Sequence, residues 1–295
     1  MQLNNEAYRL YQPLLFSLGY RMLGSVVDTE DIVQETFLRA YQIKDQKIEN
    51  KKAYLCKMMT NRCLDFLKSA KKRREVYIGP WNPEPLFFFS DMHDHPSEAL
   101  LQKEGLSIAY LRMMEQLSPH ERAVLLLREV FDFSYREIST IVEKTEDNCR
   151  KLYSRSKQKI SIVENESLHY ERNKDVVNRF LKAFHIQNTS ELLELVSDKV
   201  TLYSDGGGKV KAAVRPIRTR TKVLAFLIGI RKKTAEDYYY EIRSVNGQPS
   251  LINYMNGTIH STVSFYILHR TIKEIYITMN PDKLKLQSAG VLFTR

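Results

Sequence analysis

Apolar residues recur at helical spacing up to about residue 160 and shift toward strand-like runs after Asp237. In 6–24 the stripe is Tyr8, Leu14, Leu15, Leu18 and Met22, with Pro13 a candidate kink. In 28–41 it is Ile32, Val33, Thr36, Phe37 and Ala40, and in 51–69 it is Tyr54, Leu55, Met58, Met59, Cys63, Phe66 and Leu67. Ser118 followed by Pro119 predicts a helix start, Ser134 predicts a second and Thr145 a third. In the last of these, Cys149, Tyr153, Ser156 and Ile160 face inward. That leaves Asn148, Arg150, Lys151, Ser154 and Arg155 outward, with Lys157 and Lys159 beyond them. Two helices joined by a short turn through Glu143 and Lys144, the second with a basic outer face, form either a helix-turn-helix or a bundle hairpin.

Between these helical stretches, Glu75 to Ser118 reads as an acidic, extended linker punctuated by Pro80, Pro83, Pro85 and Pro96, closing in a helix from about Ser97 to Gln116. Its Trp81, the only tryptophan, is costly to leave wet and is expected to dock on a neighbouring domain. Residues 161–172, with Glu164, Glu166 and Glu171, form a polar boundary. Beyond it, Val176, Val177, Phe180, Leu181 and Phe184 mark an amphipathic helix, and Thr189 to Leu195 a second. A strand at VTLYSD, a turn at Gly206–Gly208 and a helix holding VLAFLIGI come next. Four β-branched and aromatic runs, separated by Asn246-Gly247, Asn256-Gly257 and a basic pair, then predict a meander. Helices first and a curved antiparallel sheet after them predict an α+β cone.

Charge sharpens the picture locally. The net charge of +10 sits mostly in the last part of the chain: 173–295 carry 19 bases and 10 acids. The helix of 28–41 is acidic at Asp28, Glu30, Asp31 and Glu35, whereas 44–74 hold 11 bases against 3 acids and end in Lys71, Lys72, Arg73 and Arg74. An acidic helix face suits a basic protein partner, and a basic helix bearing aromatic and amide groups suits a phosphate backbone and an unstacked base. The polar loop between them, with Lys44, Lys47 and Asn50, is either a nucleic-acid neighbour or a solvated loop. Three cysteines, Cys56, Cys63 and Cys149, lie on apolar faces as small core residues of a reducing cytosol. The chain shows no signal peptide and no apolar run long enough to span a bilayer, so a cytoplasmic protein without a membrane partner is expected.

DTEDIVQETFLRAY and AYLCKMMTNRCLDFLKSAKKRR resemble region two of the extracytoplasmic-function group of bacterial sigma factors, and 117–162 resemble region four. WNPEP (Trp81 to Pro85), DGGGK (Asp205 to Lys209) and NPDKL (Asn280 to Leu284) are similar to motifs of members with a fused SnoaL-like extension, whose linker motif has Leu where this chain has Asn82. The resemblance implies a multidomain chain: two all-α sigma modules at 1–74 and 117–162, the linker at 75–116 and a SnoaL-like α+β cone at 173–295. It implies binding of the RNA polymerase core, its β and β-prime subunits, by Asp28, Glu30, Asp31, Gln34 and Glu35. Lys52, Tyr54, Asn61, Arg62, Asp65 and Lys68 would read the melted minus-ten strand. Asn148, Arg150, Lys151, Ser154 and Arg155 would read double-stranded DNA at the minus-thirty-five element. Trp81, Pro83, Glu84, Pro85, Asp205, Gly206, Gly207, Gly208, Lys209, Asn280, Pro281 and Asp282 would form a latch through which the cone regulates the sigma modules in cis, replacing a separate anti-sigma factor.

Two other classes compete. A stand-alone helix-turn-helix repressor would bind duplex DNA without polymerase. A pocket enzyme would use Asp205, His185, His260 or His269 as general base, but spacing shows no His–Asp pair. No cofactor, metal or catalytic residue is expected. The three glycines after Asp205 are not a phosphate loop, since VKAAVRP opens no helix behind them.

Overall fold

In a computed structural model of the 295-residue chain, residues 5–42, 50–74, 77–87, 106–160, 169–231 and 237–288 are described. They fall into two units, 5–74 with 111–160, and 77–87 with 106–110 and 169–288.

In the first unit, α1 (Asn5–Leu23), α2 (Val26–Gln42) and α3 (Lys51–Arg74) pack together. The stripe predicted for α2 is buried, with Val26 and Thr29 added. Helix α1 departs from a single stripe: beyond Leu14 it is buried on all sides, Phe16 and Tyr20 included, because α2, α3 and a later helix cover it. Gly19 permits that approach, since a Cβ there would meet Met59 Cε at 2.3 Å and Thr29 Cγ2 at 2.8 Å. From α3, Leu55, Cys56, Met59, Cys63, Leu64 and Leu67 are buried, while the expected Tyr54, Met58 and Phe66 are only half-buried. Each fully buried leucine contributes roughly 1.5–3 kcal/mol of transfer free energy.

Helix α4 (Ile108–Met114) begins among the residues of the second unit and passes at Leu111 to the first, which continues in α5 (Pro119–Glu129), α6 (Tyr135–Val142) and α7 (Glu146–Lys159). Ser118 and Ser134 form capping boxes with Glu121 and Glu137, and the Thr145 hydroxyl accepts from the Asn148 amide. Each cap stabilises its helix by about 1 kcal/mol. Glu143 closes α6 in the left-handed region at φ 54° and ψ 50°, so the turn geometry that glycine would favour is reached without it.

The second unit builds α8 (Tyr170–His185) and α9 (Thr189–Leu195) against one six-stranded sheet. Its strands are β1 (Val196–Asp205), β2 (Ile217–Arg218), β3 (Tyr239–Val245), β4 (Gln248–Met255), β5 (Thr258–Leu268) and β6 (Thr271–Thr278). The order is β2-β1-β6-β5-β4-β3. The meander β3 to β6 is antiparallel, with left-handed residues at Asn246-Gly247, Asn256-Gly257 and His269-Arg270, as tight hairpins require. The antiparallel expectation fails at β1, which pairs parallel with β6. A parallel neighbour needs a long connection, and the stretch carrying α10 (Arg220–Arg231) and the meander supplies it. Register shifts at Asn253/Tyr254 and Tyr266/Ile267 interrupt the β5 ladders, as bulges that bend a sheet do. Val176, Val177 and Phe180 of α8 pack on Leu202, Phe265 and Ile275, and Phe180 meets Phe265 edge-on at 5.9 Å. The short α11 (Pro281–Ser288) follows β6. No described helix is long and apolar enough to cross a membrane, and no described His/Cys/Asp/Glu group could hold a metal ion.

Candidate nucleic-acid interface and a buried carboxylate site

Helix α2 exposes Asp31 and Gln34 and leaves Asp28, Glu30 and Glu35 half-buried. Glu35 is shared, its carboxylate meeting Arg39 at 3.0 Å and Arg62 of α3 at 3.2 Å. Thus one acid expected to face a protein and one base expected to face DNA are paired with each other. On α3, Asp65 and Lys68 form an exposed pair at 2.9 Å, and Tyr54 and Asn61 are half-buried. Lys52 donates to the Phe131 carbonyl at 3.1 Å and lies 5.0 Å over the Phe133 ring, while Lys57 meets Glu143 at 3.4 Å. These contacts set α3 against α6 and the turn before it. Asn50 caps α3, its Oδ1 accepting from the Ala53 amide at 3.0 Å. Lys44 and Lys47 lie outside the described residues, as do the side chains of Lys71, Lys72, Arg73 and Arg74.

On α7, Asn148, Arg150, Lys151, Ser154 and Arg155 are all exposed, and Cys149 and Ser156 are buried beneath them. Arg150 lies 4.4 Å over the Tyr135 ring and pairs with Glu146 at 3.4 Å, which orients its guanidinium. Lys157 and Lys159 are exposed as well, and each is ion-paired. They fold back on α5, Lys157 to Glu129 at 3.2 Å and Lys159 to the buried Glu121 at 2.7 Å. Burial pushes the Glu121 carboxyl up, but the bonds from Lys159 and Ser118 outweigh it and the net shift is down. The Tyr153 hydroxyl donates to Glu129; this bond, ahead of burial, lifts the phenol to about 12 and lowers the Glu129 carboxyl. All three cysteines are buried. Burial lifts Cys56 to about 12 against the opposing charge of Lys52, and it also raises Cys63 and Cys149, so none is a reactive thiolate.

The second unit holds a denser constellation. Asp205, at the end of β1, is 0% exposed. Its Oδ1 accepts from the Tyr77 hydroxyl at 2.6 Å and the Gly207 amide at 3.0 Å; its Oδ2 accepts from the Asn82 amide and the Lys283 ammonium, both at 2.8 Å. Burial, and then the bond to Asp205, raise the Tyr77 phenol pKa. Lys283 also donates to the Asn82 carbonyl and sits 4.2 Å over the Trp81 ring, so Trp81 joins the site through that cation. Asn82 in turn donates its side-chain amide to the Ile277 carbonyl at 3.1 Å. Asn280 donates to the Tyr77 hydroxyl at 3.0 Å. Gly207, at φ 61°, must be glycine, because a Cβ would lie 2.3 Å from Asn280 Nδ2. Pro83, Glu84 and Pro85 are buried, and Leu86 and Asn246 exchange bonds at 2.8 and 2.9 Å.

Of the predicted latch residues, Trp81, Asp205, Gly207 and Asn280 therefore converge. Asp282 pairs with Lys209, holding the turn of 206–209 to α11. Gly206 contributes its carbonyl, which accepts from the Lys209 and Val210 amides at 3.0 and 3.2 Å. Sequence reasoning missed Tyr77, Asn82 and Lys283. One signal could have found the lysine, since a buried carboxylate requires a cation and Lys283 is the base inside NPDKL.

Comparison with known proteins adds five findings. Residues 7–73 match the family model for Sigma-70 region 2, and residues 107–160 match that for Sigma-70, region 4. The chain is 31% identical over 242 residues to the ECF RNA polymerase sigma factor SigJ of Mycobacterium tuberculosis, covering 79% of this chain and 76% of SigJ. It is 26% identical over 283 residues to the probable ECF RNA polymerase sigma factor SigI of the same organism, covering 95% and 94%. The crystal structure of Mycobacterium tuberculosis SigJ shares the fold, with a TM-score of 0.78 over 96% of this chain and 98% of that one, at 24% identity.

Proposed function

Because the chain belongs to the extracytoplasmic-function sigma factors of bacterial RNA polymerase, it directs promoter recognition and transcription initiation, and we propose that its C-terminal domain restrains that activity in cis. The observation that carries this reading is the Asp205 site, which grips residues 77–87 just after the basic helix α3 ends. The division of labour is the one the family resemblance implies. Asp28, Glu30, Asp31, Gln34 and Glu35 meet the polymerase core. Lys52, Tyr54, Asn61, Arg62, Asp65 and Lys68 meet the melted minus-ten strand, and Asn148, Arg150, Lys151, Ser154 and Arg155 meet the minus-thirty-five duplex.

The two promoter elements stand about 25 base pairs apart, on the order of 85 Å at roughly 3.4 Å per base pair. Helix α3 cannot pack on α6 while each module holds its own element, so the contacts of Lys52 and Lys57 with the 131–143 segment must open first. A latched linker limits that opening, and the latch stands in for a separate anti-sigma partner. The cone is read as regulatory rather than catalytic: Asp205, the one carboxylate among its candidate bases, is committed to four donors.

Run-off transcription with purified core polymerase tests the proposal. Asp205→Asn in the full chain, and truncation after residue 172, should both raise transcript yield several-fold. Yields equal to or below that of the intact chain would refute restraint in cis.

A further inference from the structure

A cavity of about 1010 Å³ lies between the helices and the sheet of the C-terminal unit. Ligand pockets run from roughly 300 to 1,000 Å³, so the space suits a molecule at the large end of that range. Phe180, Phe226, Leu227, Val263, Phe265 and Ile275 form much of its wall. Interiors whose only task is stability are close-packed, and a hollow of this size forfeits those contacts.

Two polar features give the hollow a sign. One is a seam on its wall, where the Tyr238 hydroxyl bonds Asn253 at 2.7 Å and Asn253 bonds Ser261 at 2.8 Å. Whichever way the amide is turned, two bonds use two of the four hydrogens, and a hydroxyl hydrogen remains at one end of the seam for an acceptor. The other is charge. The lining contains His185, Lys211, Arg231 and His260 but no Asp or Glu among the described residues. Arg231 is held in place by the Phe184 and His185 carbonyls at 3.3 Å and by the Phe184 ring, 5.8 Å from its guanidinium.

We propose that this cavity binds an amphipathic organic anion, an apolar body of long-chain or polycyclic form carrying one carboxylate. The apolar wall takes the body, and the seam and the bases take the head. Ile277 and Met279 also line the cavity, and the Ile277 carbonyl is the one that receives the Asn82 amide. Any coupling of occupancy to the latch rests on the reading of cis restraint; the binding itself does not.

Calorimetric titration of the full chain with dodecanoate, cholate and dodecanol tests the proposal. One molecule of dodecanoate, of cholate or of both should bind per chain, and the arm that binds identifies the long-chain or the polycyclic body. Dodecanol should bind at least about tenfold more weakly, since its hydroxyl lacks the charge that strengthens the hydrogen bonds to a carboxylate head. Arg231→Gln combined with Lys211→Gln changes exposed groups and should lower anion affinity about tenfold while leaving dodecanol unchanged. Ser261→Ala should weaken the anion without altering the stoichiometry. Absence of saturable binding by either acid, or equal affinity for dodecanol, would overturn the assignment. So would binding only by a chain lacking residues 289–295, which would make that segment the occupant.

Discussion

Replacing Asp205 with asparagine keeps the shape of a side chain that accepts four hydrogen bonds and removes its charge. If the new amide oxygen takes the place of Oδ2, it still accepts from Asn82 and Lys283. The amide nitrogen then faces the Gly207 amide hydrogen and the Tyr77 hydroxyl, which already accepts from Asn280. The reverse orientation sets two N–H groups against Asn82 and the Lys283 ammonium. Either way a buried cation, 11% exposed at its side chain, loses its counter-ion. Breaking a buried pair by removing one partner costs about 3–5 kcal/mol, much of it the stranded charge. Trp81 is the only tryptophan and lies beneath that ammonium, so its fluorescence reports on the docking of 77–87. In urea, the Trp81 transition of Asp205→Asn should precede the loss of far-ultraviolet circular dichroism, whereas the two should lie closer together in the parent protein. Lys283→Met alone should cost a similar amount, and the double variant little more than either, leaving a coupling of about 2 kcal/mol or more. A Trp81 transition within 1 kcal/mol of the parent, or an additive cycle, would show that the carboxylate does not hold the linker.

Three further outcomes follow from named contacts. Asn82→Leu keeps the backbone bonds to Asp205 and Lys283 but removes the side-chain bond to the Ile277 carbonyl, so linker docking should weaken by about 0.5–1.5 kcal/mol, read by the same Trp81 transition. Asp31→Lys, on an exposed position of α2, should abolish retention by core polymerase in a pull-down with no change in melting temperature; Arg150→Ala should leave retention intact and weaken minus-thirty-five use by about 1–3 kcal/mol. The third concerns pH. Burial, and then the nearby Lys144 and Lys68, hold the His120 imidazole below its ordinary 6.5. The unfolded chain therefore binds the proton more tightly, and stability present above pH 6.5 is lost as pH falls through 6.5 toward the lower folded value. The melting temperature should decline between pH 7 and 5, and His120→Gln should flatten that decline; parallel curves would refute the assignment.

What was legible in the sequence was local. The starts at Ser118, Ser134 and Thr145 depend on groups three residues apart, and the buried stripe of α2 depends on a period of 3.6 residues. The hairpins at Asn246-Gly247 and Asn256-Gly257 depend on residues that tolerate positive φ. The outward face of α7 follows from the same periodicity, and the family resemblance pointed to Trp81, Asp205 and Asn280. Tertiary structure decided who meets whom. Tyr77, Asn82 and Lys283 reach Asp205 from 128, 123 and 78 positions away, and no local pattern encodes a partner at that separation. The parallel pairing of β1 with β6 is of the same kind, as is the return of Lys157 and Lys159 to acids on α5. Periodicity tells which side of an element is buried; only packing tells against what.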